Sequence, residues 1–172
     1  MTEITIACDG GCSPNPGKGG WAFAIFAGTP KLGGELPGAD GSPLMAAGYA
    51  PQSTNNIMEL TGLIFALKAL RAELAAGRVS PGLVKLRLDS RYALDSFFDW
   101  IPGWKRRGWK KADGNPVKNV EKMQQLDALK TELTALGITF EKVWVRGHSG
   151  DYANELVDEM LNEVRKAGHA AV

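Results

Sequence analysis

The stretch Thr54–Leu74, TNNIMELTGLIFALKALRAEL, is where the chain changes character. Leu60, Leu63, Ile64, Leu67, Leu70 and Leu74 recur at helical spacing, so a helix from Asn56 onward carries one apolar face, and Gly77 and Pro81 end it. Thr54-Asn55-Asn56 stands where helix caps stand. Glu59, in the first turns, is an acid between Met58 and Leu60, a costly place for a charge unless something offsets it.

Upstream of that helix the chain reads as strand. Glu3–Cys8 is apolar and ends at Asp9-Gly10-Gly11, which reads as a turn; a second strand covers Gly20–Phe26 and a third lies near Leu44–Tyr49. Residues 28–43 are rich in Gly and Pro and read as an irregular loop. Short connections make these three strands an antiparallel meander.

Downstream, Leu83–Leu88 is a short strand ending at Asp89, and Ser90 caps a helix reaching Trp100. Pro102-Gly103 is expected to break the chain before a further helix over Trp104–Lys111. Val120–Leu136 is helical, Ile138–Val145 a strand, and Tyr152–Lys166 a closing helix with Val157, Met160, Leu161 and Val164 on one face. The order β-β-β-α-β-α-α-α-β-α predicts an α/β fold, a mixed five-stranded sheet flanked by helices, in a single domain over residues 1–172.

Composition narrows the class without naming it. With 44% hydrophobic and 23% charged residues the chain is an ordinary globular protein. A net charge of +1 says nothing about an anionic partner, so any basic patch must be argued locally. The segment entering the first strand lacks a signal-peptide pattern and no run is long enough to span a bilayer, so the expectation is a cytoplasmic protein with no membrane partner. Cys8 and Cys12 are read as reduced thiols, too few for a disulfide framework or a zinc site.

Four acids stand in distinctive contexts: Asp9 after Ile6-Ala7-Cys8, Glu59 in the first helix, Asp89 after Leu86-Arg87-Leu88, and Asp158 in the last helix. Taken singly, each is a solvated acid or turn former. Taken together they are the ligand set that hard divalent cations prefer. Ligands collect outside the carboxyl ends of parallel strands, where Asp89 would sit, with Asp9 alongside if the first and fourth strands are neighbours.

Three further segments suit a nucleic acid. Gly10–Gly20 carries almost no side-chain bulk, so its backbone could approach a phosphate or sugar, although the P-loop pattern is absent and a plain hairpin connection would explain it too. Thr54-Asn55-Asn56 either caps the helix only or offers donors to a phosphate or 2′-hydroxyl. Trp100–Lys111 packs five cations and three of the five tryptophans into twelve residues, which favours phosphate and stacking contacts over a plain solvated face.

Asp9-Gly10 with Asn15-Pro16-Gly17 and Gly19-Gly20-Trp21, then Thr54-Asn55-Asn56 with Met58-Glu59-Leu60, Asp89-Ser90 with Tyr92, Trp104–Lys110 with Pro116-Val117-Lys118-Asn119, and Gly147-His148 with Asn154-Glu155 and Asp158 follow in one order. As a set, from about residue 3 to about residue 166, they resemble type 1 ribonuclease H, in the bacterial form with a basic protrusion. The resemblance implies the ribonuclease H-like fold and hydrolysis of the RNA strand of RNA/DNA hybrids, with two magnesium ions as cofactor, manganese as an alternative, and a monomeric state. Position by position, it implies that Asp9, Glu59, Asp89 and Asp158 ligate metal and that His148 assists proton transfer or product release. Cys12, Asn15, Thr54, Asn55, Asn56, Ser90 and Arg91 match groups lining the hybrid. Trp100, Trp104, Lys105, Arg106, Arg107, Trp109 and Lys110 belong to the protrusion, at about 100–119, which grips the DNA strand. Residues 28–43 and 77–83 are longer than in compact family members, and Ser149–Ala153 is less typical. Two other readings stand beside this one: a related metal-dependent nuclease acting on another nucleic acid such as a DNA junction, and a noncatalytic hybrid-binding module. Four acids crowded without metal would only repel, which disfavours the module.

Overall fold

A computed structural model describes residues 2–168. Three strands open the chain, β1 (Thr2–Cys12), β2 (Gly17–Ala27) and β3 (Met45–Ser53), followed by the long helix α1 (Asn55–Ala75) and then β4 (Gly82–Leu88). Next comes one continuous helical run: α2 (Arg91–Asp95), a π-helical turn over Ser96–Trp100, and α3 (Ile101–Arg106). The chain closes with α4 (Val120–Ala135), β5 (Thr139–Trp144) and α5 (Tyr152–Ala167). Among the described residues no helix is long and apolar enough to cross a membrane.

The sheet has the order β3-β2-β1-β4-β5. β1, β2 and β3 form the expected antiparallel meander, whereas β4 lies parallel to both β1 and β5. A parallel pairing needs a crossover, and α1 supplies it between the meander and β4.

Alternation along the strands builds a core on each face of the sheet. Ile4, Ile6, Cys8, Val84, Leu86 and Leu88 face one side, where Leu60, Leu63, Ile64, Leu67 and Leu70 of α1 and Met123, Leu126, Leu129 and Leu133 of α4 cover them. The other face is built from small residues, Ala7, Ala22, Ala24 and Ala47 with Phe26, and the stripe Ala153, Val157, Leu161 and Val164 brings α5 down on it.

Three local expectations are corrected. Asp9-Gly10-Gly11 is not a turn: β1 runs through it to Cys12, and the connection to β2 is the short segment 13–16. Pro102-Gly103 is not a break: the helical run continues through it by way of the π-helical turn over Ser96–Trp100, which leads into α3 with Pro102 in its first turn. The helix expected over Trp104–Lys111 ends at Arg106 instead, and Trp109 takes a left-handed backbone at φ 66°.

Candidate active site

Register along β1 and β4 brings the first two acids level. Ala7 pairs with Arg87 in the parallel ladder, so two residues further along each strand Asp9 and Asp89 lie side by side. Asp89 follows directly on the last residue of β4, while Asp9 is still inside β1 and only 5% exposed. Glu59 arrives from the helix packed on the opposite face, and glycines allow it. A Cβ on Gly10 would lie 2.2 Å from the Met58 carbonyl carbon and 2.4 Å from the Glu59 nitrogen, so the first turns of α1 rest directly on the β1 backbone. Gly62, one turn on, keeps the helix close, since a Cβ there would come 3.1 Å from the Asp9 carbonyl oxygen.

Asp9, Glu59 and Asp89 thus each offer a carboxylate oxygen within 4.8 Å of the others. Among the described residues none of the ion pairs engages any of the three. The Asp9 carboxylate accepts the Gly10 N–H at 2.9 Å. Glu59 Oε2 is enclosed and has no hydrogen-bond partner.

Crowded carboxylates removed from water resist ionisation, and the site behaves accordingly. Burial, and then the charge of Asp89, push Asp9 up to about 7. Burial, then Asp9 and Asp89, raise Glu59 well above the carboxylic range. Even the Cys8 thiol beneath them is raised, by burial first and then by Glu59. Two buried carboxylates raised in this way beside a third, with no cation paired to them among the described residues, are suited to a divalent cation, and the unpartnered Glu59 Oε2 fits a ligand atom.

Asp158 stands apart from this triad. It lies on α5, half-buried, where Asn162 Nδ2 donates to its backbone carbonyl at 2.8 Å and to its Oδ1 at 3.3 Å. Its charge still contributes to the raised Asp9. His148 is exposed in the loop between β5 and α5 and takes a left-handed backbone at φ 56°. Its neighbour Gly147 packs on the site, since a Cβ there would come 3.1 Å from Asp89 Oδ2.

The polar residues singled out from sequence divide in two. Asn15, Cys12 and Asn55 lock the β1–β2 hairpin to α1: the Asn55 side chain accepts the Cys12 N–H at 2.7 Å, and Asn15 accepts the Asn55 N–H at 3.0 Å. Thr54 accepts from Ile57 N at 3.2 Å and Ser90 from Ala93 N at 3.1 Å, both as N-caps. Asn56 and Arg91 are exposed. In the basic segment Trp100 packs on Tyr92 and Trp104 with ring centroids 6.3 and 5.7 Å away. Lys105 meets Asp127 at 3.0 Å; Arg106, Arg107 and Lys110 are exposed, and Trp109 is half-buried.

One residue beside the site was not singled out from sequence. Trp144, at the end of β5 and 45% exposed, donates its indole N–H to the Asp89 backbone carbonyl at 3.0 Å, and the Arg91 guanidinium lies over its ring at 4.3 Å. Its only signal in the sequence is its place three residues before Gly147-His148.

Comparison with known proteins gives one consistent picture. The family model for RNase H matches residues 1–166. A Ribonuclease H of Cupriavidus necator is 40% identical over 162 residues, covering 94% of each chain. One from Polaromonas naphthalenivorans is 42% identical over 164 residues, covering 94% of this chain and 86% of the relative. Among solved structures, LC9-RNase H1, described as a type 1 RNase H with the type 2 active-site motif, superposes with TM-score 0.72 at 25% identity, covering 99% of this chain and 75% of that one. LC11-RNase H1 in complex with RNA/DNA hybrid shares the fold with TM-score 0.61 at 21% identity, covering 95% and 97%.

Proposed function

The chain belongs to the RNase H family, and from that membership we propose that it is an endonuclease hydrolysing the RNA strand of RNA/DNA hybrids with two divalent cations, magnesium in the first place and manganese as an alternative. The observation that carries the metal part is the convergence of Asp9, Glu59 and Asp89 within 4.8 Å, with Glu59 Oε2 enclosed and unpartnered. In this reading these three hold the cations and Asp158 completes the set from α5. When bound, the cations neutralise the nonbridging phosphate oxygens, lower the pKa of the attacking water and stabilise the leaving 3′-oxygen.

The chain's own groups do the rest. Asp9, fixed inside β1, and Asp89, fixed at the end of β4, set where the scissile phosphate must lie. The exposed His148 takes a proton or assists product release from the loop above Asp89. Arg91 and Asn56 face the hybrid; Asn15 and Asn55 hold the hairpin that lines it, with Cys12 at its base. The segment from Trp100 to Lys110 holds the DNA strand through exposed cations and indoles. RNA is distinguished from DNA by its 2′-hydroxyl. The cytoplasm and a monomeric, single-domain state belong to the same proposal. Cleavage of the RNA strand in magnesium, abolished by EDTA, with duplex DNA left intact, is the test; equal cleavage of duplex DNA or undiminished cleavage in EDTA would overturn it.

A further inference from the structure

We propose that Arg87 and Asp151 are positioning residues for the reaction, their ion pair fixing both the loop that carries His148 and the start of the helix that carries Asp158. The proposal rests on the functional reading above.

The loop has to bridge a gap. α5 packs across β1, β2 and β3, whereas the preceding strand β5 lies at the far edge of the sheet, beyond β4. Residues 145–151 therefore cross over the end of β4. At the near end they are held twice: Val145 N donates to the Leu88 carbonyl at 2.9 Å, and the Trp144 indole to the Asp89 carbonyl. Between the ends lie two residues with left-handed backbones, His148 and Gly150 at φ 88°.

The far end is held by Asp151. One carboxylate oxygen, Oδ2, caps α5 by accepting the Asn154 N–H at 2.9 Å. The other, Oδ1, accepts from Arg87 Nε at 2.9 Å and Nη2 at 2.5 Å. Arg87 stands on β4, two residues before Asp89, and its alternation places it on the face that α5 covers. The Asp151 side chain is only 14% exposed and that of Arg87 35%, so the pair is better shielded than a surface salt bridge. Its two charge-assisted bonds fix direction as well as distance. Asp158 lies seven residues, about two turns, beyond Asp151, so a displacement of the capped end carries to that carboxylate along the same helix face. A single guanidinium thus ties the strand that leads into Asp89 to the elements bearing His148 and Asp158.

The test uses the whole chain and the variants Arg87→Met, Arg87→Lys and Asp151→Ser, the last keeping a capping hydroxyl. In the metal-free protein, backbone order parameters of residues 146–151 are measured by NMR. Wild type sets the reference, and Arg87→Met should lower them, most of all next to Asp151, while β1 and α1 stay unchanged. With magnesium and saturating RNA/DNA hybrid, kcat should fall on the order of tenfold with KM nearly unchanged, as for a misaligned rather than an unbound substrate. Arg87→Lys should recover most of both, and Arg87→Met combined with Asp151→Ser should be no worse than Asp151→Ser alone. Unchanged order parameters in the loop, or loosening spread equally through β1 and α1, would overturn the proposal. If wild type leaves the hybrid uncut, the functional reading fails by itself, and the order parameters still decide whether the pair holds the loop.

Discussion

Gly10 and Met58 touch backbone to backbone: a Cβ on Gly10 would stand 2.2 Å from the Met58 carbonyl carbon and 2.4 Å from its oxygen. That contact sets how far α1 reaches over β1, and so whether Glu59 arrives beside Asp9.

Gly10→Ala should therefore act on the site and the fold together. Neither backbone can yield without moving α1, so we expect a loss of roughly 3 kcal/mol in stability, within the range of severe overpacking, and loss of hybrid cleavage even where the variant is folded. Urea denaturation and a cleavage assay check it. Gly11→Ala is the control, because a Cβ there meets atoms no closer than 3.7 Å and should be tolerated.

Without metal, stability should fall as pH rises. Asp9 has a folded pKa of about 7 against an ordinary value of 3.8, so between those values the folded state holds more protons than the unfolded one. The stabilising contribution is complete below about pH 4 and is lost as pH climbs through 7, and the raised Glu59 acts in the same direction. Denaturation midpoints in EDTA should be higher at pH 5 than at pH 8. Asp9→Asn should flatten that dependence, stabilise the metal-free protein at pH 8 and abolish turnover. A collapsed fold would instead make Asp9 a structural residue, and wild-type turnover would remove it from the site.

Trp144→Phe keeps an aromatic face for Arg91 but removes the N–H that the Asp89 carbonyl accepts. Losing one such bond costs about 1 kcal/mol. We expect a modest fall in Tm with a larger effect on kcat than on KM, whereas Trp144→Leu, which also removes the face under Arg91, should raise KM as well. Identical kinetics for the two variants would show that the stack under Arg91 does not matter.

The parts of the fold visible in the sequence were those with period. Leu60 to Leu74 and the apolar strands gave the element order, and all four acids stood out because each interrupts an apolar context. The meeting of Asp9, Glu59 and Asp89 was legible only as a condition, that the first and fourth strands be neighbours. It depends on the ladder that sets Asp9 beside Asp89 and on Gly10 resting against Met58, both long-range relations. The same contact explains why Asp9-Gly10-Gly11 misled: glycines within a strand often mark a close backbone approach, and only the partner distinguishes that from a turn. Pro102 misled because a proline at the start of a helix and one between helices look alike until the preceding turn is known. Trp144 left only its place before Gly147-His148, since its partner is a backbone carbonyl just past the end of the neighbouring strand.

The basic segment allows a finer prediction than its composition did. Lys105 already has a partner, Asp127 at 3.0 Å, whereas Arg106 and Lys110 point to solvent; Arg107 is also exposed, although its Nε donates to the Lys110 carbonyl at 3.2 Å. If these cations neutralise phosphates, each of Arg106→Ala, Arg107→Ala and Lys110→Ala should lower the salt-dependence slope of hybrid binding by about 0.7–0.9. Lys105→Ala should lower it less, because binding must compete with an existing, if half-exposed, ion pair. Among the described residues none of the four is ion-paired with the carboxylate triad, so kcat at saturating hybrid and low salt should stay near wild type while KM rises, the pattern of lost uniform binding. An unchanged slope in all four variants would make the segment a solvated helix end. A collapse of kcat at saturation would mean that the same cations align the phosphate to be cut, and that gripping and chemistry are not separate here.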